Sequence, residues 1–373
     1  MSAPRVAIII PAYNAADDIE ASVRSILGQS VGDFLLLVVN DGSTDQTGEI
    51  LARLAAEDAR LVPITVANGG PARARNLALD WVPAGTEYLM FCDADDELAP
   101  DALAYALEKG SGADLVLMGF SIRNPDLSRS DYCEPEQRLT PETLGPALGR
   151  LYKANLLNQV WGKLYRAPLV LENGLRFLDY RWGEDRLFIY DCLEHAQSVA
   201  VLPDCKYTYV MHRGESLITR YYDKKPEVCL LSDKRMQELC RRFGVTEEGD
   251  FRYMFMKSIF SCLTTLYAPN CPLSGKEKRA EIRRIIRNGQ VVSRSREVFG
   301  GPAVKLLCAV IRTGNVTLNA LCFRFVAFAG KAAPRLFTKL KHKKERTGAQ
   351  ANVPALRLFG RCKTDRPAKP PFG

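Results

Sequence analysis

VAIIIPAYNAADDIEASVRSILGQS, residues 6–30, decides the fold. Its first five residues are an uninterrupted apolar run that ends at Pro11, the form of a strand buried on both faces. Ile19, Val23, Ile26 and Leu27 then recur at i, i+4, i+7 and i+8, which is one face of a helix. A second apolar run at 34–39 leads into Asn40-Asp41-Gly42. Strand, helix and strand in this order make a βαβ unit, whose crossover forces the two strands parallel.

The alternation continues outward. Ser43 or Thr44 offers an N-cap for a helix through Ile50, Leu51 and Leu54; residues 61–64 read as a strand and 71–79 as a helix opened by Pro71. Two more strands are expected at 88–92 and 115–120, with the helix of Leu103 and Leu107 between them. This predicts an α/β fold, a Rossmann-like, mostly parallel sheet flanked by helices. Ligands of such sheets bind in the crevice at the strands' C-terminal ends. Three polar clusters fall there: Pro11-Ala12-Tyr13-Asn14, Asn40-Asp41-Gly42-Ser43 and Asp93-Ala94-Asp95-Asp96.

Beyond residue 120, Pro125, Pro135, Pro141 and Pro146 mark loops, 184–193 reads as a helix, and 199–202 and 207–210 as late strands. From about Asp223 the pattern turns to long helices without strands. The expected organisation is therefore an α/β domain at 1–220, a helical, basic region at 221–345 and a disordered tail at 346–373. No internal repeat is visible.

Composition bounds the function. A chain that is 47% hydrophobic and 25% charged is folded rather than disordered. Its net charge of +8 hides an asymmetry: residues 1–200 hold 17 Lys or Arg against 29 Asp or Glu, whereas 201–373 hold 34 against 14. Eleven cysteines without C-x-x-C spacing, and a start lacking the form of a secretory signal, point to reduced thiols in the cytoplasm. Arg312 and Arg324 interrupt the best spanning candidate, so no membrane-crossing helix is expected. Seven Lys or Arg and one Glu at 331–346, next to Phe323, Phe325, Phe328 and Phe337, suit a helix resting on an anionic leaflet, and equally a solvated bundle. No DNA- or RNA-binding module accompanies the charge, so nucleic acid is not an expected partner.

In an extended segment residues i and i+2 share a side, so Asp93 and Asp95 are expected to project together. Two carboxylates aimed at one point suit Mg²⁺ or Mn²⁺, completed by substrate phosphates. Asp96, Glu97 and Asp101 read instead as residues of the following helix start. Arg73 and Arg75, two apart, cannot share a helix face.

"VAIIIPAYNAADDIEASVRSILGQS", "LVVNDGSTDQT", "NGGPARARNLAL" and "FCDADDEL", in this order, resemble the family 2 glycosyltransferases of the GT-A fold. The match is close over residues 5–100 and looser to about 220. The resemblance implies a hexosyltransferase-like enzyme with a nucleotide sugar, a UDP-sugar as the expected donor, lying across the rim. Pro11, Ala12, Tyr13 and Asp41 would hold base and ribose, and Arg75 would reach the donor. Asp93, Ala94 and Asp95 would serve donor and metal, with Asp95 the principal ligand.

The family's Glu-Asp pair maps onto Glu184-Asp185, with Asp185 as the base that deprotonates the acceptor. This fits one in-line displacement with inversion and no covalent intermediate. Two acids at a helix N-terminus also suit the dipole alone. His212, Arg213 and Ser216 fall in the family's mobile segment and suit diphosphate oxygens, with His212 alternatively a metal ligand. Trp161 and Trp182 could stack on an acceptor sugar or line the core, and Lys163 could meet phosphate or solvent. Leu178 stands where a processive synthase's Gln-x-x-Arg-Trp motif has Gln, so one sugar per visit is expected. The expected acceptor is a saccharide or lipid-linked saccharide at the inner face of the plasma membrane. Competing readings are a sugar nucleotidyltransferase and a catalytically silent, membrane-docked scaffold.

Overall fold

A computed structural model describes residues 3–212, 220–297 and 300–332. The sheet-forming part runs β1 (Val6–Ala12), α1 (Ile19–Leu27), β2 (Phe34–Asp41), α2 (Thr47–Glu57), β3 (Leu61–Val66), α3 (Pro71–Asp80), β4 (Tyr88–Phe91), β5 (Glu97–Leu98), α4 (Ala102–Lys109) and β6 (Leu115–Arg123). It continues through β7 (Arg129–Tyr132), β8 (Gln137–Leu139), α5 (Pro141–Lys153), β9 (Lys163–Arg166), α6 (Ala167–Leu171), α7 (Glu184–His195) and β10 (Val199–Val210). Helices α8 (Lys225–Arg242), α9 (Gly249–Thr265), α10 (Gly275–Ile286), α11 (Gly289–Arg294), α12 (Pro302–Arg312) and α13 (Val316–Ala332) follow without further strands among the described residues.

The ten strands form one sheet ordered β3-β2-β1-β4-β9-β6-β10-β5, with β7 beside β6 and β8 beside β10. β1, β2, β3 and β4 pair in parallel, as do β6 and β10. β9 lies antiparallel to both β4 and β6 and so fills the gap between the two parallel halves, while β5, β7 and β8 pair antiparallel with β10 or β6. The apolar runs of β1 and β2 are buried because helices cover both faces of the sheet. β1 is also where the chain order reverses, with β2 on one side and β4 on the other, the position at which a ligand crevice opens.

Several boundaries differ from the sequence reading. α2 starts at Thr47 with Gln46 at the N-cap, because the Ser43 hydroxyl accepts the Asn14 N–H and the Thr47 hydroxyl donates to Asp45 instead. The prolines at 141 and 146 do not mark loops: Pro141 opens α5 behind a Thr140–Thr143 capping box, and Pro146 falls within its first turns. The two late strands are one, β10, with register shifts between Leu202 and Tyr207. The apolar face of α8 contributes Met236, Leu239 and Cys240 to the core around the sheet, while α9–α13 close a second core around Ile259, Ile282, Ile311 and Phe323. No described helix is long and apolar enough to cross a membrane. No cysteine among the described residues is in a disulfide.

Candidate active site

The loops leaving β1 and β2 are laced together. Asn14 sits at φ +49°, and its side-chain oxygen accepts the Thr44 N–H at 2.8 Å. Ala15 and Ala16 donate their N–H groups to Thr47 and Asp45. Ala12 is buried, whereas Tyr13 stands 52% exposed on the rim.

Asp41, at the end of β2, is buried, and its carboxylate is already engaged: its two oxygens accept the Gly69 and Gly70 N–H groups at 2.8 and 2.7 Å. It thereby fixes the turn that starts α3. Gly42 makes this approach possible. At φ +71° a side chain would be strained, and an added Cβ would stand 2.7 Å from the Asn68 nitrogen.

Turning at Gly70, α3 packs Ala72, Ala74 and Ala78 onto the sheet, and their small size lets the helix sit close. Arg75 shares that buried face, and Arg73 is exposed, as their spacing requires. The sequence reading sends Arg75 to the donor; in the structure its guanidinium is committed to carboxylates. One terminal nitrogen donates to Asp93 at 2.9 Å, and the other to Asp185 at 2.9 Å and Glu184 at 3.1 Å. The Phe177 ring lies 5.3 Å beneath it. Burial opposes the charge, but Asp185, Asp93 and Glu184 together keep it protonated beyond the ordinary arginine range.

Glu184 and Asp185 open α7 behind Gly183, whose φ of +81° makes the sharp entry and whose missing Cβ leaves room for Val228. Burial, then the Asp185 charge, raise the Glu184 carboxyl to about 7 against the pull of Arg75. Asp185 is less buried, and the Val160 N–H points to its second oxygen at 3.5 Å.

Past β4 the backbone does not stay extended. It turns at Ala94-Asp95, closed by an Asp96 N–H to Asp93 carbonyl bond, so the i, i+2 argument does not describe the acidic pair. Asp93 faces Arg75, and burial raises its carboxyl to about 6. Asp95 lies at the rim, 3.8 Å from His212 Nε2, which is 3.7 Å from Asp18 as well. Burial also raises Asp95. Asp96 accepts the Tyr207 hydroxyl at 2.6 Å and the Val210 N–H at 2.9 Å, Glu97 pairs with Arg123 and Asp101 with Lys206. All three are tied to neighbouring structure, Asp101 by that ion pair rather than by capping α4.

Asp93, Glu184 and Asp185 share one arginine, and Asp18 and Asp95 add to the rim's negative charge. Among the described residues no three His, Cys, Asp or Glu converge as a ready-made metal cage. Mg²⁺ or Mn²⁺ fits such a rim, since these ions are commonly held by one or two carboxylates plus substrate phosphates and water. Asp95 and Asp93 are the residues that would hold it.

Other expectations resolve differently. Trp161 is buried, stacked on Tyr207 at 4.5 Å and on Tyr209 at 5.7 Å, which is the core alternative rather than an acceptor platform. Trp182 packs against the helical core with Lys225 and Arg186 over its ring. Lys163 is fully buried, donating to the Gln159 and Trp161 carbonyls, so it is not the solvated lysine of the alternative reading. Arg213 and Ser216 lie outside the described residues, as does most of 331–346.

Sequence reasoning gave no role to Asn76 or Tyr207. The Asn76 amide exchanges two hydrogen bonds with the Phe177 backbone, pinning the segment before α7 to α3. The Tyr207 hydroxyl accepts the Asp93 N–H while donating to Asp96. Asn76 directly follows Arg75 in the motif, which is the signal that could have found it; Tyr207 carries no local signal.

Residues 7–151 match the model of the glycosyl transferase family 2. The chain is 32% identical to the uncharacterized glycosyltransferase EpsJ of Bacillus subtilis (strain 168) over 55% of its own length and 61% of that protein. It is 29% identical to the poly(ribitol-phosphate) beta-glucosyltransferase of Bacillus spizizenii over 58% of this chain and 34% of that one. In both cases the chain spans less than two thirds of the relative's length. S. aureus TarS 1–349, solved in complex with UDP-GlcNAc, superposes with a TM-score of 0.58 at 19% identity, covering 88% of this chain and 92% of that one, a likeness of fold. The reversed strand between two parallel halves, the acidic turn after β4 and the matched residues agree with a glycosyl transferase family 2 domain over residues 7–151, on the GT-A fold.

Proposed function

We propose that this protein is an inverting glycosyltransferase that moves one sugar per encounter from a nucleotide sugar to a saccharide or lipid-linked saccharide acceptor in cell-surface polysaccharide synthesis. The observation that carries this reading is the bridge of Arg75 between Asp93, at the acidic turn after β4, and Asp185, at the start of α7. One guanidinium sets the spacing between a donor-side carboxylate and a candidate base. The bound UDP-GlcNAc of TarS and the poly(ribitol-phosphate) acceptor in the other relative's name support a UDP-sugar and a surface polymer.

In this reading exposed Tyr13 covers the base, and Asp41 orders the Gly69-Gly70 turn while its remaining lone pairs meet ribose or uracil. Asp185 accepts the proton of the acceptor hydroxyl as that oxygen attacks the anomeric carbon. The bond from that carbon to the diphosphate oxygen breaks in the same displacement, inverting the centre and releasing the nucleoside diphosphate. Glu184, buried next to Asp185, takes no part in the displacement itself and helps fix Arg75 through its 3.1 Å contact. A divalent cation at Asp95 and Asp93 would neutralise the charge building on the leaving diphosphate. His212, 3.8 Å from Asp95, would face the diphosphate in this reading. The reading includes an inner-leaflet location, where a lipid-linked acceptor resides.

Calorimetric titration with UDP, with and without Mn²⁺, tests the donor side. Metal-dependent binding that Asp95→Ala removes is the expected result; UDP binding indifferent to both metal and Asp95 would refute the metal part, and no UDP binding the donor part.

A further inference from the structure

The last described helix carries an apolar stripe on the side away from its own core. α13 turns Phe323 and Asn319 inward, both fully buried, and leaves Leu318, Leu321, Phe325 and Phe328 outside. At about 100° per residue these four fall within an arc of roughly 80°. Leu321, Phe325 and Phe328 are 62%, 69% and 68% exposed. Single exposed apolar side chains are ordinary, but a continuous stripe marks a surface with a partner. On neighbouring α12, Leu306 is likewise exposed.

The charge around the stripe identifies the partner's chemistry. Residues 298–344 contain nine Lys or Arg and no Asp or Glu. Arg324 is exposed beside the stripe, and the basic run at 331–346 follows it in the chain. An apolar stripe on a stretch of chain whose only charged residues are cations complements a surface that is anionic at its face and apolar just beneath. We propose that the outer face of α13 is a lipid-docking surface, with Leu321, Phe325 and Phe328 entering the acyl boundary of an anionic leaflet. This deepens the membrane part of the proposed function, in which docking holds the rim near a lipid-linked acceptor.

The test is sedimentation of the full chain with vesicles of phosphatidylglycerol and phosphatidylcholine, or of phosphatidylcholine alone, without donor or acceptor. The wild type is expected to pellet with the anionic vesicles. Leu321→Ser/Phe325→Ser is expected to weaken partitioning at least 10-fold while UDP binding stays as in the wild type. A wild type left in the supernatant, or a double variant that pellets equally, overturns the proposal; the latter would assign the attraction to the basic run alone. A concentration-dependent dimer that the double variant abolishes, with no vesicle binding, would overturn it in favour of a second copy of this chain. Should the double variant misfold, Phe328→Trp provides an independent readout: a blue shift on adding anionic vesicles is expected, and an unchanged spectrum contradicts docking. Failure here leaves transfer to a soluble saccharide standing, and absence of transfer leaves vesicle binding standing.

Discussion

Arg75 and Asp185, 110 residues apart in the chain, meet at 2.9 Å, and through the same guanidinium Asp185 is tied to Asp93. Removing the arginine leaves three carboxylates crowded without a counter-charge. Breaking a buried ionic network from one side costs about 3–5 kcal/mol. Arg75→Met is therefore expected to lower stability by several kcal/mol and abolish donor turnover. Arg75→Lys keeps the charge but cannot span three acceptors, and should recover stability better than turnover. Urea unfolding alongside donor turnover checks both; a fully active Arg75→Met would remove the bridge from the account.

Asp185→Asn preserves shape while deleting the proton acceptor. Transfer is expected to fall about 10²–10⁴-fold with UDP affinity nearly unchanged, the usual loss of a general base. Parallel measurement of turnover and UDP binding decides it, and equal loss of both would merge the two roles that the geometry separates.

Asp41→Ala removes the acceptor of two backbone N–H groups, each bond to a charged group contributing about 1.5–3 kcal/mol. The turn before α3 should loosen, lowering thermal stability and UDP affinity together. Asp41→Asn keeps one carbonyl acceptor and should be intermediate. An Asp41→Ala protein as stable as the wild type, with only UDP binding lost, would make the residue a ligand contact alone.

Lys163 gives a pH signature. Burial pulls its amine down to about 7, so the folded protein releases this proton while the unfolded chain holds it to about 10.4. The unfolded state then binds more protons, and this contribution to stability grows as pH rises above 7 and is lost as pH falls through 7. Relative to Lys163→Met, the wild type is expected to gain about 1.4 kcal/mol per pH unit between pH 8 and 10. Denaturant unfolding of both proteins across that range measures it; parallel curves would contradict a depressed amine.

Much of the fold was legible because it is locally encoded. The apolar runs of β1 and β2 and the 3.6-residue stripe of α1 state their burial directly, and the acidic rim follows from where strands end. What stayed hidden depends on distant partners. β9 pairs with β4 and β6 only because a gap opens between them. Trp161 is a core residue because Tyr207 and Tyr209 arrive on β10 to stack on it. Likewise, Arg75 is legible as the inward-facing arginine of its pair, but its target is set by where α7 begins. Pro146 misled for the converse reason: a proline early in a helix disturbs little, and the capping box of α5 outweighs it.

The central claim is sugar transfer from a UDP-sugar with Asp185 as the base. Its most direct measurement is UDP release by the full chain over a panel of nucleotide sugars with Mn²⁺ and a saccharide acceptor, for the wild type and Asp185→Asn. The account expects turnover of at least one UDP-sugar by the wild type and its near-complete loss in the variant; turnover undiminished in Asp185→Asn, or none by the wild type with any nucleotide sugar, would contradict it.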